Sequence, residues 1–124
     1  MPGSATPALA VTWTATPTTD FRVFQDGTTL GRDERERRDL LATVHYEARR
    51  AGLDPQLVLA IMQVESAFRK FAISSADARG YMQVMPFWAK LLGRGDDNLF
   101  HLRTNLRYGC TILRHYLDIE QGDL

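Results

Sequence analysis

The chain has a single cysteine, Cys110, and no excess of either charge, with 15 Lys and Arg against 15 Asp and Glu in 124 residues. One thiol excludes an internal disulfide framework and any zinc site built on several thiolates. A balanced charge argues against a general nucleic-acid or membrane-surface binder, which carries a basic excess. No apolar run approaches the ~20 residues of a membrane span. His45, His101 and His115 are scattered, without the His-x-x-x-His spacing of a helical zinc site, so no metal is expected. What is present is a 44% hydrophobic, 24% charged composition, enough for one core at a length that suits one domain.

Residues 1–31 read as a poorly ordered arm. Six threonines and three prolines fall in the first nineteen positions, and Asp20, Arg22 and Asp26 are its only charges. So few apolar residues offset little ordering entropy, although Phe21, Val23 and Phe24 offer an anchor. The segment has no basic n-region and does not read as a secretory signal. Residues 32–124 form the expected domain. From Arg32 to Arg50 eleven of nineteen residues are charged, six basic and five acidic. Their alternating signs suit a solvated helix face better than a phosphate-binding stripe. Leu40, Leu41, Val44 and Ala48 supply the inward stripe, and Gly52 the stop.

Asp54-Pro55 opens a second helix, expected to reach about Phe68, with Asp as cap and Pro at the first helical position. It is apolar nearly all round and should be central. A Ser- and Ala-rich loop follows to about Arg79, then a short helical piece at Gly80–Val84. Pro86 disfavours helix at Met85 and opens another helix through Leu92, ended by Gly93. After a turn at Gly93–Asn98, the last helix runs from about Thr104 to Ile119, with Leu106, Gly109, Leu113, Tyr116 and Leu117 on one face. Cys110 reads as a small core residue. No alternating strand pattern occurs, so the fold is expected to be all-α.

Glu65 is out of place on its helix. Leu57, Ile61, Glu65 and Phe68 follow the spacing i, i+4, i+8, i+11, which puts the acid inside the apolar arc. It also lies near the C-terminal end, where the helix dipole disfavours negative charge. Both effects raise a carboxyl pKa above its reference of ~4.3, as a general acid requires. A structural Glu paired with Arg69 or Arg79 fits the periodicity equally well.

Three separated motifs bear on that choice. Glu65-Ser66-x-Phe68, then Ser75-x-x-Ala78-Arg79-Gly80-Tyr81-Met82-Gln83-x-Met85-Pro86, then Asn105-Leu106-x-x-Gly109 resemble the catalytic domain of the soluble lytic transglycosylases, from about Leu40 to Leu117. The resemblance implies a lysozyme-like helical fold and peptidoglycan glycan strands as the partner, in the cell envelope or periplasm, without a cofactor. It implies that Glu65 is the sole catalytic carboxyl, cleaving between N-acetylmuramic acid and N-acetylglucosamine to leave a 1,6-anhydromuramoyl end. Ser66, Tyr81, Met82 and Gln83 would bind substrate. Gly80 would permit positive φ or close backbone approach, Phe87 and Trp88 would stack on sugars or pack, and Asn105 would cap the last helix.

Two departures are visible. Asp77 stands where the family usually has Gly, and a second carboxylate near the cleft keeps a lysozyme-like hydrolysis open, as in the related goose-type lysozymes. The Ala-Tyr-Asn-type segment that follows in the family is not found before Leu124. The resemblance therefore implies a domain incomplete at its C-terminus, of marginal stability, with an apolar face prone to self-association. A non-catalytic glycan-binding module is the other alternative. Between Ser66 and His115 eight basic residues outnumber three acidic ones, as an anionic polymer would require.

Overall fold

A computed structural model describes residues 34–122, and the expectations for the 1–31 arm, its anchor residues included, lie outside them. Four helices follow in chain order: α1 (Glu34–Arg50), α2 (Pro55–Ser66), α3 (Pro86–Leu92) and α4 (Leu102–Gly122). No strand is formed among the described residues, and the all-α reading holds. None of the described helices is long and apolar enough to cross a membrane.

Local chemistry sets the helix ends. Glu34 and Glu36 lie in the first turn of α1 and Arg49 and Arg50 in its last, each sign complementing the dipole. The helix closes on Gly52 at φ 74°, where Leu53 N–H reaches Ala48 O at 2.8 Å and Gly52 N–H reaches Arg49 O at 3.0 Å. That crossed pair satisfies two end carbonyls at a left-handed residue, a position favouring glycine. Asp54 then caps α2 by accepting from Gln56 N–H at 2.9 Å, with Pro55 as the first helical residue.

α1 packs against both α2 and α4. Leu40, Val44 and Ala48 of α1, Val58, Ile61 and Met62 of α2, and Leu106, Cys110, Ile112 and Leu113 of α4 form the core. Trp88 joins it from α3, its ring edge-on to Tyr116 at 6.4 Å between centroids. Met82 lies against Gly109, where even a methyl group would meet its sulfur at 2.4 Å.

Several expectations are corrected here. Leu41 is exposed, and the fourth inward residue of α1 is Glu47, only 1% exposed. Glu47 lies three residues beyond Val44 on the same stripe, so the periodicity that singles out Glu65 applies to it as well. α2 ends at Ser66 instead of Phe68, because Ala67 and Phe68 both take positive φ (51° and 61°). Nor is α2 covered all round: Val64 is 52% exposed. Residues 80–84 form a turn with an isolated bridge between Arg79 and Val84, not a helical piece. The last helix starts at Leu102, two residues before the expected Thr104.

Cys110 is 1% exposed, and burial pushes its thiol up to about 12. The thiolate, not the thiol, is the nucleophile, so a disulfide reagent should label Cys110 only as fast as the domain opens. The folded thiol holds its proton to higher pH than the unfolded one. Its contribution is therefore complete below pH 9 and lost as pH rises toward 12, at about 1.4 kcal/mol per pH unit at most. Labelling as rapid in the native protein as in denaturant would contradict this.

Candidate active site

The site is assembled from the end of α2 and the loop that follows it. Three of the described carboxylates are withdrawn from water: Glu47, Asp97 and Glu65. Glu47 is gripped by Arg107, whose Nε and Nη2 each donate to one carboxylate oxygen at 2.9 Å. Asp97 accepts a short hydrogen bond from the Tyr108 hydroxyl. Glu65 is half-buried, one residue before α2 ends. The sequence leads one to expect deeper burial there, but α2 carries less cover on that flank, as the exposure of Val64 shows.

The loop from Arg69 to Met85 is stitched by side chains. Ser74 Oγ accepts from the N–H groups of Ala76 (3.1 Å) and Ala78 (3.0 Å). Arg79 and Val84 exchange both backbone hydrogen bonds at 3.0 Å, and Gly80 N–H reaches Ala72 O at 2.8 Å. Gln83 turns inward at φ 55°, its Nε2 donating to Ala72 O (3.1 Å) and Gly80 O (3.0 Å). Gly80 satisfies both reasons for a glycine: its φ is +76°, and a Cβ would lie 2.5 Å from Asn105 Nδ2 and 2.7 Å from Leu99 O. Positive φ at a non-glycine residue such as Gln83 persists only where its surroundings over-determine it, and such positions cluster at functional sites.

Asn105 is the tether of this loop and not the helix cap expected. Fully buried in the first turn of α4, it accepts from Met82 N–H at 2.8 Å and donates to Arg79 O (2.9 Å) and Leu99 O (2.8 Å). Three contacts 6 to 26 residues away consume its amide. Asn105→Ala should leave a buried N–H and two weakened carbonyls, costing about 3 kcal/mol at roughly 1 kcal/mol or more per orphaned group. For a domain of this size that lowers the melting temperature by roughly 12–24 °C. A thermal melt within about 2 °C of the parent would refute the tether.

The expected substrate-binding residues divide by exposure. Ser66, Met82 and Gln83 are 2%, 0% and 4% exposed. Ser66 Oγ donates to Met62 O at 3.1 Å. Their side chains are buried, whereas Tyr81 is half-buried and keeps surface facing solvent. Burial raises the Tyr81 phenol, with a smaller push from Glu36, so it stays a neutral hydrogen-bonding group. Trp88 is core, while Phe87 beside it is 46% exposed. Asp77, at φ 73°, is exposed and holds Arg79 through both oxygens at 3.1 Å. No group of three or more His, Cys, Asp and Glu capable of holding a metal occurs among the described residues.

Sequence reasoning missed the Glu47–Arg107 pair. The signal was the acid on the apolar stripe of α1, but its partner lies 60 residues on and shares no local pattern with it.

Four helices among the described residues, with a half-buried glutamate at the end of α2 and a following loop tied down by an asparagine, are those of an all-α lysozyme-like domain. The family model for the transglycosylase SLT domain matches residues 42–124, and the chain belongs to that family. It is 48% identical to the membrane-bound lytic murein transglycosylase C of Mannheimia succiniciproducens, over 61% of this chain and 24% of that protein. The same-named protein of Actinobacillus pleuropneumoniae serotype 5b is 48% identical over 45% of this chain and 15% of its own length. That of Klebsiella pneumoniae subsp. pneumoniae is 51% identical over 36% and 12%. The chain thus spans about a quarter or less of the length of these curated relatives.

Proposed function

We propose that this domain is a peptidoglycan lytic transglycosylase of the bacterial cell envelope, with Glu65 as its one general acid and base. The observation that carries the reading is the position of Glu65, a half-buried carboxyl one residue before α2 ends, where the helix leads into the stitched loop. Glu65 lies within the residues that match the family, 42–124, and in the Glu65-Ser66-x-Phe68 stretch that resembles the family's first motif.

In this reading the protonated Glu65 carboxyl donates to the glycosidic oxygen between N-acetylmuramic acid and N-acetylglucosamine as the C1–oxygen bond breaks. The carboxylate so formed takes the proton of the muramoyl 6-hydroxyl, whose oxygen closes on C1. The product is a 1,6-anhydromuramoyl end, and the acid is regenerated. Most glycosidases require a second carboxyl to activate water or to form a covalent intermediate. Intramolecular attack removes that need. Tyr81 offers a hydrogen-bonding group that keeps surface facing solvent, while Ser66, Met82 and Gln83 act by holding the loop that the sugar meets. Hydrolysis through Asp77 is disfavoured by the engagement of both its oxygens with Arg79.

Mass spectrometry of digested glycan strands tests the outcome, because the anhydro end is lighter than a reducing end by one water. Anhydro ends are expected. Reducing ends would transfer the reaction to a water-activating mechanism and to Asp77.

A further inference from the structure

A second concave site lies between α1 and α4, on a different face of α4 from the active-site loop. Asn105, Leu106 and Gly109 turn toward the core and that loop, whereas Arg103, Arg107 and Thr111, four residues apart, line another flank. With Arg50 of α1, Leu92 of α3 and the Asp97–Tyr108 pair they line an open cavity of about 400 Å³. This is far more than the ~30 Å³ share of one water.

Its charges are arranged unequally. Arg107 is held by Glu47, which uses two of the five guanidinium N–H groups, and the Tyr46 phenol lies beside the same group. Arg50 and Arg103 are exposed, and neither is paired with a described carboxylate. Glu47 balances Arg107 and is itself sealed from solvent, so Arg50 and Arg103 against Asp97 leave a surplus of one positive charge. Asp97 is the single acid on the lining and is turned to the Tyr108 hydroxyl. The walls include the apolar faces of Leu92 and Tyr108.

We propose that this cavity binds the C-terminal carboxylate of a peptide. Guanidinium groups present paired N–H donors that match the two oxygens of a carboxylate, and charge-assisted bonds of this kind are about twice as strong as neutral ones. The planar guanidinium fork fits the two oxygens of a carboxylate, and Asp97 keeps lone pairs that can accept from a peptide N–H next to it. Leu92 and Tyr108 give an apolar side chain a place to lie. The site is independent of Glu65 chemistry, and binding, not turnover, reads it out.

The test is a titration of the full chain, followed by backbone amide resonances, with N-acetyl-alanyl-alanine as the free acid and as its C-terminal amide. The acid should shift the resonances of residues 103–111 saturably, and the amide should not. The double variant Arg50→Gln/Arg103→Gln, which alters only exposed side chains, should weaken the acid by about tenfold or more. Glu65→Gln should bind it unchanged, so that failure of the glycan-cleaving reading and failure of this one are distinguishable. Equal shifts from acid and amide, tighter binding of phenyl phosphate than of the peptide acid, or undiminished binding by the double variant would each overturn the proposal.

Discussion

Glu65→Gln is expected to leave the melting temperature unchanged and to reduce cleavage of purified peptidoglycan by at least about 10³-fold. The substitution is isosteric and lies at a half-buried position at the end of α2, so packing is preserved. General acid–base catalysis by one side chain supplies about 10²–10⁴-fold, and here one carboxyl is asked to donate and to accept in turn. No other withdrawn carboxylate among the described residues can take over, since Glu47 and Asp97 are bound to Arg107 and Tyr108. Sugar binding should survive, because Gln keeps the size and hydrogen-bonding reach of Glu. A variant that still releases anhydromuropeptides at the parent rate would remove Glu65 from the reaction.

The Glu47–Arg107 pair should show a marked asymmetry. Arg107→Met strands a carboxylate that is 1% exposed, and breaking a buried pair in this way costs about 3–5 kcal/mol. Glu47→Met removes the buried charge, keeps the volume, and leaves Arg107, whose side chain is 42% exposed, free to regain water. That change should cost under about 1.5 kcal/mol. The double variant should recover most of the loss, because apolar replacements of buried pairs are often neutral. Denaturant midpoints of the three variants decide it: equal losses in the two single variants would mean that the attraction itself, and not the stranded acid, holds α1 to α4.

How much of this was legible beforehand depended on how far apart the interacting residues lie. Asp54-Pro55, Pro86 and Gly52 act on backbone groups within a few residues, and each delimits its helix as read. The three motifs sufficed for the family, since they lie at intervals a linear pattern can carry. The depth of Glu65 was overestimated. Helical periodicity says which way a side chain points, not whether another element lies there to cover it.

Gln83, Met82 and Ser66 show the same limit from the opposite side. Their residue types suit a cleft, yet Gln83 satisfies the carbonyls of Ala72 and Gly80, and Ser66 that of Met62. Asn105 was expected to cap a helix and instead holds three backbone groups of the loop and turn. A polar side chain goes where buried donors and acceptors remain unmet, and those are identified only once the chain has packed.

The sequence by itself therefore determined the helical class, most helix ends, the glycine at position 80 and the family. Those rest on capping, on φ preferences and on residue spacing, all of which act within a few residues. Only the tertiary structure decided that Glu47 meets Arg107 across 60 residues, that Asn105 ties down the loop that follows α2, and that α1 and α4 line an open basic cavity. Burial raises the strength of such contacts and the cost of leaving them unmade, and burial is a property of the packed whole.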